Sequence, residues 1–89
     1  MEHLRPVRTP KWGADSLHKD TWRLVAAYLI EGWTWAVLRS WHSNDGGRTW
    51  ACLLDYRADQ VRGGRMDAWY PYDPELIVAA PERPPAVVT

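Results

Sequence analysis

A chain of 89 residues carrying eleven cationic and eleven anionic side chains reads as one domain, and it lacks the basic excess of a protein that works mainly through phosphate contacts. Its single cysteine rules out an internal disulfide, and so a stapled secreted scaffold is not expected. No run of about 18 apolar residues is long enough to span a membrane, and the polar N-terminus has no apolar signal region, so the cytoplasm is the expected location.

In chain order, residues 1–13 carry Pro6 and Pro10 without an apolar period and read as an extended arm. Residues 14–80 remain for a single globular domain. Residues 20–31 fit two patterns. As a helix, part of an element covering about 15–31, they place Trp22, Val25, Ala26, Leu29 and Trp33 on one stripe, with Gly32 as the C-cap. As a strand, they set Leu24, Ala26, Tyr28 and Ile30 on one face, with weak alternation. The local pattern favours the helix slightly. Residues 33–41 and 49–56 are apolar, aromatic and β-branched, and they flank Ser43, Asn44, Asp45, Gly46 and Gly47, which is dense turn chemistry. Together they predict a β-hairpin. A second turn falls at Arg62-Gly-Gly-Arg65, followed by a strand over 66–70. Pro71 and Pro74 break regular structure, so residues 69–74 read as irregular chain. Residues 75–78 are either a last short strand or one helical turn. Residues 81–89 form a Pro-rich tail in which Pro81 and Pro84 have polyproline-ligand spacing.

Seven Trp and four Tyr, with no Phe, exceed the needs of a small core, because each large ring buries about 150–250 Å². For any single ring, a place in the core is the first expectation. The surplus nevertheless points to an aromatic contact surface. Trp69, Tyr70 and Tyr72 sit between two prolines, and Tyr and Trp are favoured at interfaces. Arg57, Arg62 and Arg65 flank the glycine turn and with the nearby aromatics could grip a nucleic-acid backbone and stack bases, though Asp55, Asp59 and Asp67 offset them and a solvated turn is the first expectation. Nine of the eleven cations are Arg, the residue suited to planar and stacking contacts. An Arg- and Ala-rich, Lys-poor chain also suggests a bacterial or phage origin. His18, His42, Cys52 and Asp55 lack paired metal-ligand spacing, so no metal or other cofactor is expected. Cys52 with His42 across the predicted hairpin is the single nucleophile–base pair, and Ala51 and Leu53 beside Cys52 suggest a buried thiol instead. The chain is therefore read as not an enzyme.

The segment from Val25 to Val37, together with Leu53-Leu-Asp-Tyr56, resembles the Tudor branch of SH3-like barrels. Glu31-Gly32 matches the turn, Trp35-Ala36-Val37 the second strand, Asp55-Tyr56 the end of the third, and Glu75-Leu76-Ile77 the closing segment. Where the family often has Gly-Asn, this chain has Arg57-Ala58. The resemblance implies a mostly β fold, a small barrel of about five strands; the alternative is α+β, one helix on a small antiparallel sheet. It also implies binding, with Tyr28, Trp33 or Trp35, and Tyr56 near an aromatic cage. The expected function is a non-catalytic module that engages a protein partner through Trp33, Trp35, Tyr56, Arg57, Arg65, Trp69, Tyr70 and Tyr72. A phage or mobile-element accessory factor acting on a host enzyme is the role expected for such a module. Nucleic-acid binding or transcriptional regulation, a small enzyme, and a homodimer are the competing readings.

Overall fold

The computed structural model describes residues 2–58 and 63–80; Asp59, Arg62 and the proline-rich tail lie outside them. The aromatic and β-branched runs on either side of residues 43–49 pair as antiparallel strands, as their composition dictates. The elements are β1 (Leu17–Leu29), β2 (Gly32–Ser43), β3 (Ala51–Arg57), β4 (Arg65–Pro71) and β5 (Ile77–Ala79). They make one antiparallel sheet in the order β4-β3-β2-β1-β5. The fold is mostly β.

The helix reading of residues 20–31 does not hold, because they lie in β1 and the turn after it. Residues 25–27 pair with β2 on one side and β5 on the other. Val25, Ala26 and Ala27 are all buried, so the segment shows no alternation, as in any strand covered on both faces. Ile30 and Glu31 make the turn, and Gly32 takes a positive φ of 102° that a side chain would strain. The turn between β2 and β3 is anchored by Asp45, whose carboxylate accepts the Thr49 N–H at 2.9 Å and hydroxyl protons from Thr49 at 2.6 Å and Ser43 at 2.8 Å. These bonds, led by that of the Thr49 hydroxyl, hold the Asp45 carboxyl well below its ordinary range.

Residues 69–71 are not irregular: they complete β4. The alternation of an antiparallel ladder explains how Pro71 fits. The Tyr72 N–H donates to the Trp50 carbonyl at 2.9 Å, so the nitrogen of Pro71 faces away from β3, where no hydrogen is needed. Residues 74–76 form a turn, and the chain then enters β5, so the last segment contains both of the alternatives read from the sequence.

The core is aliphatic. Val25, Ala27, Leu29, Ala36, Leu38, Cys52, Leu54, Tyr70, Leu76 and Ile77 form it, and Leu4 joins from outside the 14–80 region. None of the seven tryptophans is buried; Trp12 and Trp22 are 69% and 70% exposed and the other five are half-buried. This corrects the expectation that a typical indole sits in the core.

The N-terminal arm ties together the two sides of the sheet. The Leu4 N–H donates to the Tyr28 carbonyl at 2.8 Å beside the β1–β5 edge, and the Val7 N–H donates to the Trp69 carbonyl at 2.7 Å on the β4 edge. Curvature comes from a row of bulges: Thr21 and Trp22 together oppose Arg39, and Arg39 has no counterpart on β3. An unpaired extra residue bends and twists a strand.

Candidate functional site

Strand alternation gives the sheet an inner face, filled by the core, and an outer face. Four rows cross the outer face. His18, His42 and Ala51 share one, and Asp20, Ser40, Leu53 and Trp69 the next; Leu24, Val37, Asp55 and Asp67 follow, and Arg57 and Arg65 stand opposite each other beyond them.

The first two rows are covered. The Trp12 ring lies with its centroid 4.9 Å from His18 and 5.0 Å from His42, and Trp69 is 6.3 and 6.2 Å from the same rings. Beneath them runs a polar chain: Asp20 Oδ1 to His18 Nε2 at 2.9 Å, His18 Nδ1 to His42 Nδ1 at 3.1 Å, and His42 Nε2 to Asn44 Oδ1 at 2.7 Å. Asp20 also accepts from the Ser40 hydroxyl at 2.8 Å; that bond and then the one from His18 hold its carboxyl below the ordinary range. Trp12 stacks the arm onto the sheet, and the hydrogen bonds beneath it tie β1 to β2 and to Asn44 in the turn that follows.

The lower rows are open. Leu24, Trp35, Val37, Tyr56, Arg57 and Arg65 border a shallow depression of about 400 Å³ with Asp55 in its wall. Leu24 is exposed and Trp35 half-buried. Arg65 donates to Asp55 Oδ2 at 2.8 Å, and Arg39 approaches the same oxygen at 3.5 Å. Half-exposed ion pairs of this kind add little stability but fix where the guanidinium groups stand.

Of the eight residues expected to make contact, Trp35, Arg57 and Arg65 meet in this depression, while Tyr56 turns its ring to the inner face, where its hydroxyl bonds that of Tyr70. Trp33 stacks at 5.3 Å with Tyr28. Tyr72 lies 4.9 Å from Trp41, whose ring also meets Trp50 at 6.3 Å. Trp69 belongs to the histidine cluster. Tyr70 is buried and cannot serve as an exposed anchor. The cage implied by the resemblance is not assembled among the described residues: Tyr28 pairs with Trp33, while Tyr56 pairs with Tyr70. Leu24 and Val37 escaped the sequence reading because only the β1–β2 register places them beside Trp35.

Cys52 and His42 do not face each other. Cys52 stands opposite Trp41 and His42 opposite Ala51, so their side chains leave opposite faces of the hairpin. Among the described residues no group of three or more His, Cys, Asp or Glu is placed to hold a metal ion, and no helix is long and apolar enough to cross a membrane.

Burial pushes the Cys52 thiol up to about 12. An unfolded chain releases that proton above about pH 9, so over this window the native state holds a proton the unfolded state has lost. Stability should therefore fall as pH rises from 9 towards 12, by up to about 1.4 kcal/mol per pH unit from this group. Urea melts of the protein and of Cys52→Ala, run across that range, should show the shallower slope in the variant. Parallel slopes would mean that the thiol ionises in the folded protein.

Comparison with protein-family models, with curated proteins and with solved structures finds no match for this chain.

Proposed function

We propose that the protein is a non-catalytic binding module that engages a protein partner through the open lower half of its outer sheet face. The observation that carries this reading is that none of the seven indoles is buried and only Trp41 packs against the core, which leaves Trp35 beside Leu24 and Val37 with Arg57 and Arg65 at the rim. An aromatic and apolar centre with guanidinium groups around it is the usual composition of a binding hot spot. The partner this surface suits offers an apolar side chain to Trp35 and carboxylates to the arginines.

Nucleic acid is the weaker reading. Asp55 and Asp67 stand opposite each other in the row next to the Arg57–Arg65 pair, and they cancel the field that a phosphate backbone would follow. The Tudor-like reading of the chain draws support from three placements: the Glu31–Gly32 turn, Trp35-Ala36-Val37 within β2, and Asp55-Tyr56 at the end of β3. A role as a phage or mobile-element factor in the bacterial cytoplasm fits the Arg-rich composition.

Immobilised protein should capture its partner from a bacterial extract, and Trp35→Ala combined with Arg65→Ala should weaken that capture at least tenfold without changing the melting temperature by more than a few degrees. Trp22→Ala, which alters an exposed indole beside the bulge, should leave capture intact. Equal capture by all three proteins would exclude this face.

A further inference from the structure

A second concavity lies on the other side of the sheet, between the N-terminal arm and the strand ends, and its chemistry differs from that of the outer face. Its volume is about 560 Å³, within the range of about 300–1,000 Å³ typical of small-molecule sites. Leu4, Pro6, Leu29, Ile30, Ala58 and Met66 give it an apolar wall. The polar groups are few and convergent. Tyr56 and Tyr70 line it together, and their hydroxyls are 2.8 Å apart. Arg5, Arg57 and His3 border it, against a single carboxylate, Glu31.

Two phenols carry two protons. Their mutual hydrogen bond uses one. The other has, among the described residues, only the Met66 sulfur as an acceptor, 3.3 Å from the Tyr56 hydroxyl, and a thioether is a weak acceptor. Burial pushes the Tyr70 hydroxyl above its ordinary range, so it stays a donor at any physiological pH. An oxygen atom placed beside the pair would receive the spare proton in a stronger bond. The guanidiniums of Arg5 and Arg57 favour a negative charge on that oxygen.

We infer that this cavity binds a small amphipathic carboxylate, with its apolar body against Leu4, Leu29 and Met66 and its carboxylate at the Tyr56–Tyr70 hydroxyl pair within reach of Arg57. This site shares Arg57 with the rim of the outer-face contact but needs neither Trp35 nor Arg65, so it stands if the partner-binding reading fails.

Octanoate, octylamine and octanol test it, each titrated into the full chain and followed by methyl NMR and calorimetry. Octanoate should saturate, should shift the methyl signals of Leu4, Leu29 and Met66, and should bind at least tenfold more tightly than the amine or the alcohol. Tyr70→Phe and Arg57→Gln should each weaken octanoate about tenfold. Ile30→Glu changes an exposed side chain at the mouth, so it keeps the fold and should abolish binding by repulsion. Trp35→Ala should bind octanoate normally. Absence of saturable octanoate binding, equal affinity for all three probes, or an unchanged affinity in Ile30→Glu would each overturn the assignment.

Discussion

Replacing Leu54 with Ala should lower the unfolding free energy by about 2–5 kcal/mol, whereas replacing Trp22 with Ala should change it by no more than about 0.5 kcal/mol. Leu54 stands on β3, an interior strand, fully buried between Leu38 and Ala68, its cross-strand neighbours. Removing its branched end leaves a void that the flanking strands cannot close without breaking ladder hydrogen bonds. A domain of this size has about 5–15 kcal/mol in total, so the variant should be partly unfolded near body temperature. Trp22 is the larger side chain, yet 70% of it is exposed, and little apolar area returns to water when it is cut back. Chemical denaturation of both variants measures the contrast. A larger loss at Trp22 would mean that the indoles hold the fold together after all.

The arm supplies the second large effect. Leu4→Ala removes a buried side chain from the core cluster and should cost about 2–3 kcal/mol. Deleting residues 2–7 should cost more, because it also frees the Tyr28 and Trp69 carbonyls, which accept the Leu4 and Val7 N–H groups at 2.8 and 2.7 Å. With Val7 gone, β4 becomes an unprotected edge, and open edges pair with other chains. The truncated protein should therefore melt lower and show a mass in light scattering that rises with concentration. A truncated chain that stays monomeric and melts like the parent would show the arm to be ornamental.

Much of the architecture was legible in the residues, and the parts that were not have physical reasons. The β2–β3 hairpin announced itself through Asn44, Asp45, Gly46 and Gly47, because only such residues meet the positive φ of 71° and 96° at the two glycines. β1 was harder to read. Its middle is buried on both faces, at Val25, Ala26 and Ala27, and Trp22, Val25, Ala26 and Leu29 fall on a helical spacing by coincidence. Pro71 and Pro74 suggested broken chain at Trp69 and Tyr70, but a proline whose nitrogen faces outward costs an edge strand nothing. Trp35, Arg57 and Arg65 were singled out from their types alone, and the sheet gathers them; Tyr56, chosen with them, faces the core side instead. The contribution of Leu4 was invisible, because one leucine between prolines and charges has no period to betray it. The His18–His42 link depends on a register that no local pattern encodes.

The uneven lengths of the strands divide the sheet in a way that affects how it breathes. β5 covers β1 only at residues 25–27, and Ala80 bonds the Leu24 carbonyl just beyond, at 3.1 Å. From Leu17 to Arg23, β1 has β2 as its single strand neighbour among the described residues, and the bulge at Thr21 and Trp22 interrupts even that ladder. A ribbon paired on one side opens at lower free energy than a strand flanked on both. The distal end of the β1–β2 hairpin is thus a soft tier, held by Trp12 and the imidazole pair, above a rigid tier built on Val25, Leu38 and Leu54. Leu24 marks the boundary between the tiers, so a partner docked there would stiffen the loose half of the molecule as it bound.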